Sequence, residues 1–303
     1  MSFKDYIKEN LPWIRSIYRK RLAPINLIHN IFDKPVVVLL YHRVNYLNRD
    51  LFNINVTPDN FERHIQVLKN HYNVITFNDL KCNDIKEPSV IITFDDGYYD
   101  NYKYAFPILK KYQVPATIFI TSGGVDTDKE FWWDRLETVL FENKNLRESI
   151  ELDILNQRHV FDVSDDKKRL HSFYTLHHML FSLHPNERDM MLDRWYESYG
   201  LKVNPNNRTM TSSELIELYQ SQLITLGAHT IHHPALKQIS REEQIHEIQS
   251  SKLFLENLLH TDIDIFAYPF GHKESFDQVT EQIVQDLGFT YSVSTKRAQL
   301  HSN

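Results

Sequence analysis

"VIITFDDG", residues 90–97, decides how this chain is read. Strand-forming residues run into two adjacent carboxylates, Asp95 and Asp96, and then into Gly97. A continuous apolar, β-branched run is what a strand buried on both faces looks like. Its end needs at most one Asp to open a turn, and two carboxylates side by side repel each other. An ordinary Asx-bonded turn closed by glycine accounts for the stretch structurally. A cation held near the pair accounts for it chemically, because it offsets the repulsion and leaves the second carboxylate free as a base.

Six further runs of the same character flank this one: "VVVLLY" (36–41), "NVITF" (73–77), "ATIFIT" (116–121), "ITLGAH" (224–229), "IDIFAY" (263–268) and "FTYSVS" (289–294). Helical patterns separate most of them. In "TPDNFERHIQVLKNHY" (57–72), Thr57 is the expected N-cap, Pro58 opens the helix, and Phe61, Ile65 and Leu68 share a face. Seven such strands predict an α/β fold, either an open doubly wound sheet or a barrel of βα units. Both gather their chemistry at the carboxyl ends of the strands. Residues 125–210 break the rhythm and read as a helical insertion, with "FWWDRLETVLFENKNL" as its clearest part.

The totals narrow the function classes. The chain has 303 residues, 42% of them apolar, and a formal charge of −6. That supports a sizeable core and argues against a nucleic-acid partner. Cys82 is the only cysteine, so no disulfide or thiolate metal site forms within the chain. Residues 1–34 read as an N-terminal helical extension without a secretory signal, which makes the cytoplasm the expected location. Trp13 and Ile17 beside Arg15 and Arg19 also suit a peripheral contact at the inner membrane face.

The remaining polar residues of interest sit at the strand ends. His42 follows the first strand, and "HTIHHP" (229–234) and "YPFG" (268–271) follow two later ones. His229 and His233 are four residues apart, so a helical turn there lets both reach one ion. Two imidazoles and one carboxylate suit a catalytic divalent ion with an open position rather than a structural site. Among sixteen histidines, that spacing alone is a weak signal.

"TFDDG", "HTIHHP" and "YPFG", in that order and each at a strand end, resemble the polysaccharide deacetylase family, the NodB-homology domains of carbohydrate esterase family 4. The resemblance runs from about residue 36 to 295, the insertion apart. It implies a distorted (β/α)7 barrel over residues 35–303, interrupted by the helical insertion at about 125–210. It implies a divalent metal ion, most often Zn²⁺ with Co²⁺, Ni²⁺ or Mn²⁺ as substitutes, held by Asp96, His229 and His233. Asp95 is then the general base, and the backbone amide of Phe270 helps hold the oxyanion. Tyr268, Pro269 and the insertion's Trp133 become candidates for substrate binding.

Two positions depart from the family pattern. Ala267 stands where many members carry an arginine that steadies the base. The general-acid histidine of the last motif has its late counterpart only in His301, whereas His42 at the first strand end matches a circularly permuted version. His42 is the expected acid. The implied reaction is hydrolysis of the N-acetyl group of a sugar in a polysaccharide or glycolipid intermediate. An O-acetyl esterase or non-sugar amide hydrolase using the same site, and a non-catalytic glycan-binding protein, are the alternatives.

Overall fold

The computed structural model describes residues 36–81, 85, 87–154 and 157–296. The expected N-terminal helix, Cys82 and His301 lie outside the described residues. A seven-stranded, all-parallel sheet forms the centre, built from β1 (Val36–Tyr41), β4 (Asn73–Val74), β5 (Ser89–Phe94), β6 (Ala116–Ile120), β9 (Ile224–Ala228), β10 (Ile265–Ala267) and β11 (Tyr291–Val293). Two short strands, β2 (Arg43–Val44) and β3 (Asn55–Val56), pair with each other above it. The main order is β1-β5-β6-β9-β10-β11, and β4 lies beside the start of β5. Among the described residues β1 and β11 do not pair, so the sheet curls into a half-barrel, the distorted (β/α) arrangement expected of the sequence.

Burial on both faces explains the uninterrupted apolar runs. On β5, Val90, Ile92 and Phe94 pack outward against the helices, while Ile91 turns into the barrel with Phe119, Ile265 and Ala267. Gly227 on β9 is set by this interior. A methyl group there would lie 2.6 Å from the Phe119 ring, so the aromatic side chain occupies the space that glycine leaves. Four residues beyond Ile91 and two beyond Gly227, the same interior alternation delivers Asp95 and His229 to the open end.

The helix Pro58–His71 follows its sequence signals: Thr57 accepts a hydrogen bond from the Asn60 amide, and Phe61, Ile65 and Leu68 are buried. The run "NVITF" is shorter as a strand than its composition suggests. Thr76 donates from both its backbone N–H and its hydroxyl to Asp79 Oδ2, and this local cap starts the helix Phe77–Leu80 instead.

The insertion contains the expected helices, including Trp132–Glu137, Asp166–Phe181 and Pro185–Tyr199. It is not helical throughout. An antiparallel hairpin joins β7 (Ser149–Ile154) to β8 (Gln157–Asp162). Ile150, Leu152 and Ile154 are buried at every second position, the period-two signal that the helical reading passed over. The insertion also has a hydrophobic nucleus of its own, centred on Trp132, Leu136, Phe173, Leu176 and Leu192. Among the described residues, no helix is long and apolar enough to cross a membrane.

Candidate active site

Asp95 and Asp96 leave the end of β5 in opposite senses. The Asp95 amide donates to the Tyr41 carbonyl and so continues the sheet by one bond. Asp96 then turns into the left-handed region with φ 75°, followed by Gly97 at φ 76°. Thr230, His233 and Phe270 also have positive φ. For residues other than glycine that conformation is uncommon, and its clustering around one pocket marks backbone held in place for function.

Asp96, His229 and His233 are buried together, and one ligand atom from each lies within 4.8 Å of the others. Asp96 Oδ1 is 3.5 Å from His229 Nε2 and 3.3 Å from His233 Nε2. His229 Nδ1 donates to the Ala267 carbonyl at 2.8 Å, so Nε2 is left as the free lone pair facing the carboxylate. His229 Nε2 has no hydrogen-bond partner, and neither has Asp95 Oδ1, although both are buried. Unsatisfied buried acceptors beside a carboxylate are costly for the bare protein. A divalent cation satisfies the His229 Nε2 lone pair together with Asp96 and His233, so this donor set fits a metal ion with nitrogen and oxygen ligands.

The electrostatics follow from the burial. Burial pushes the Asp95 carboxyl up, with His229 and His42 pulling against it. Asp96 is also buried, yet the two imidazoles beside it hold it well below the carboxylate range. Burial takes His233 down to about 4, keeping its imidazole neutral as a ligand must be.

The pocket over these residues has a volume of about 240 Å³. His42 lines it, close enough that a charge there lowers both aspartates. Trp133 forms a wall, its ring 5.0 Å from that of His233, and the side chain of Phe270 packs at 4.5 Å on the same imidazole. The Phe270 amide has no acceptor among the described residues. Trp133 is fixed from behind: its Nε1 donates to the Tyr98 hydroxyl at 2.7 Å, and Tyr98 donates to Asp134 Oδ2 at 2.7 Å. Asp134 lies 3.5 Å from Arg43, whose Nε also donates to Asp100 at 2.8 Å.

The polysaccharide deacetylase profile matches residues 83–145 and 190–292, more than half of the chain. The chain belongs to the polysaccharide deacetylase family. Among curated relatives, YxkH of Bacillus subtilis (strain 168), provisionally named a polysaccharide deacetylase, is 24% identical over 272 residues. That alignment covers 87% of this chain and 66% of YxkH. The poly-beta-1,6-N-acetyl-D-glucosamine N-deacetylase of Staphylococcus aureus (strain N315) is 36% identical over 110 residues, 31% of this chain and 38% of the relative. The chain thus spans less than two thirds of either relative. In the solved structure of deacetylase PplD from Streptococcus pyogenes in complex with acetate, the fold is similar at a TM-score of 0.54 and 20% identity. The match covers 88% of this chain and 86% of that one.

Two residues singled out in the sequence do not reach the pocket. Tyr268 alternates with the inward-facing Ala267 and therefore points outward, stacked on Phe276 at 4.1 Å within the helical layer. Pro269 is buried beside it and does not line the pocket either. The Phe270 side chain takes their place. Phe52, Ile54, His177 and His272 also line the pocket and were not singled out. Burial lowers His177 to about 4, so it is neutral near pH 7. Only the strand-end position shared by His42 could have marked such residues, and these four sit on loops and on the insertion.

Proposed function

We propose that the protein is a metal-dependent N-deacetylase acting on an N-acetylated glucosamine polymer. Family membership, and the name of the staphylococcal relative as a poly-beta-1,6-N-acetyl-D-glucosamine N-deacetylase, support this substrate class. The observation that carries the reading is Asp96 set between two imidazole Nε2 atoms, with an unpartnered Asp95 oxygen alongside.

Asp96, His229 and His233 hold the ion. A divalent cation in such a site supplies Lewis-acid polarisation of the acetyl carbonyl and a water made acidic enough to react near neutral pH. Asp95, buried and without a hydrogen bond on Oδ1, takes the proton from the attacking water. As the carbonyl oxygen gains charge, the Phe270 N–H donates to it. His42 gives its proton to the sugar nitrogen as the carbon–nitrogen bond breaks, and acetate and the free amine leave. Trp133 and Phe270 exclude water from the reacting carbonyl.

Removing the metal with a chelator should abolish release of acetate from β-1,6-linked N-acetylglucosamine oligomers, and Zn²⁺ or Co²⁺ should restore it. Matched O-acetylated oligomers distinguish amide from ester hydrolysis. Full activity in chelated, metal-free protein, or no activity on any acetylated glycan at full metal content, defeats the proposal.

A further inference from the structure

Arg188, the fourth residue of the helix Pro185–Tyr199, is only 2% exposed, yet its side chain forms no ion pair or hydrogen bond among the described residues. Its guanidinium lies 4.7 Å from the Trp132 ring, and its Nε has no partner. A buried charge left in this state costs several kcal/mol unless something pairs with it. Two of the neighbouring carboxylates are occupied elsewhere, and the third, the half-buried Asp189, borders the same cavity without bonding the guanidinium. Glu130 accepts from Tyr196 and Asn207, and Glu247 accepts from the Ile231 and His232 amides and from the His232 ring.

Arg188 borders a second cavity of about 60 Å³, separate from the catalytic pocket and lying behind the loop that carries His229 and His233. Thr209 borders the same cavity, and its buried Oγ1 is likewise without a partner. Lys129, which is exposed, also lines it. Two unsatisfied polar groups from different elements thus meet at one small space. Since one water needs about 10–15 Å³, the cavity accepts a few non-hydrogen atoms and no sugar ring.

We propose that this cavity is a binding site for a small oxyanion, a carboxylate such as acetate or inorganic phosphate. The planar guanidinium offers paired donors to two oxygens, and the Thr209 hydroxyl offers a third. The site does not depend on the reaction proposed above. Its floor is shared with the ligand loop: the Gly123 amide donates to the Ile231 carbonyl at 2.9 Å, and the Ser122 amide donates to Thr230. An anion there stiffens the backbone between the two histidines.

Thermal unfolding of the full chain in sodium phosphate and in sodium acetate, against sodium chloride at equal ionic strength, tests the proposal. The wild type should gain stability with phosphate or acetate beyond the chloride control, and the larger response identifies the preferred anion. Arg188→Met should lose that gain and weaken anion affinity by about tenfold or more. It should itself melt no lower than the wild type, because an apolar replacement removes an uncompensated charge. Thr209→Val should bind more weakly with the fold intact. Asp96→Asn, altered at the catalytic site, should keep the full response. No gain in the wild type, an equal gain in Arg188→Met, or loss of the gain in Asp96→Asn overturns the proposal. A large fall in the melting temperature of Arg188→Met does the same.

Discussion

His229 donates Nδ1–H to the backbone carbonyl of Ala267, and this bond selects the imidazole tautomer whose Nε2 faces Asp96. The side chain at 267 is only a methyl group, yet its carbonyl orients a histidine of the candidate metal site. Substituting His229 or His233 by Ala should therefore reduce divalent-ion affinity about 100-fold or more, measured by equilibrium dialysis. Asp95→Asn should keep near-normal ion content while turnover collapses. Equal loss of metal in Asp95→Asn would assign that carboxylate to the ion instead.

His42 shares the pocket with both aspartates but stands apart from the three-residue cluster. His42→Ala should lower kcat by about 100-fold or more at full metal content, the range of a lost general acid. Activity within a few-fold of wild type would pass the role to another group, with His272 the next pocket histidine to test.

Tyr98 is wholly buried and joins Trp133 to Asp134 through one hydroxyl. Tyr98→Phe leaves the Trp133 Nε1–H and an Asp134 oxygen unpaired, at about 1–3 kcal/mol for each group. The expected outcome is a lower denaturant midpoint together with a raised KM, because Trp133 walls the pocket. An unchanged KM would separate this chain of bonds from substrate binding.

Burial raises Asp134 to about 7, against the pull of Arg43, and raises Glu137 to about 7, against that of Arg49. Unfolded, both groups titrate near about 4. The native state thus retains protons that the unfolded chain has released. Their contribution to stability is complete below about pH 4 and is lost as pH rises through about 7. The melting temperature of the wild type relative to Asp134→Asn should fall between pH 5 and pH 8. A relative rise over that interval would mean that the Arg43 ion pair outweighs the burial.

Gly227 gives a purely steric test. Gly227→Ala drives a methyl group against Phe119 and should cost about 1–3 kcal/mol, the range for overpacking. Adding Phe119→Leu should recover part of the loss. Additive destabilisation in the double variant would show that the two side chains do not compete for the same space.

Strands β5, β6 and β9 were legible because burial on both faces writes itself as uninterrupted apolar runs. Asp95, Asp96 and His229 were legible because they follow such runs, and His233 because it stands four residues beyond His229. Other features depend on partners far apart in the chain. The Arg43–Asp100 bond spans 57 positions, and nothing local in "YHRV" announces it. The outward turn of Tyr268 follows from strand alternation, which a motif read as a block conceals. The hairpin β7–β8 alternates as a strand should, but it lies among helical stretches rich in charge. Phe52 belongs to no periodic pattern at all.

The insertion packs around its own nucleus, while the sheet rests on two other clusters. Changes inside that nucleus can reshape the wall around Trp133. The pocket wall can thus vary on one scaffold while the residues at the strand ends stay fixed on another.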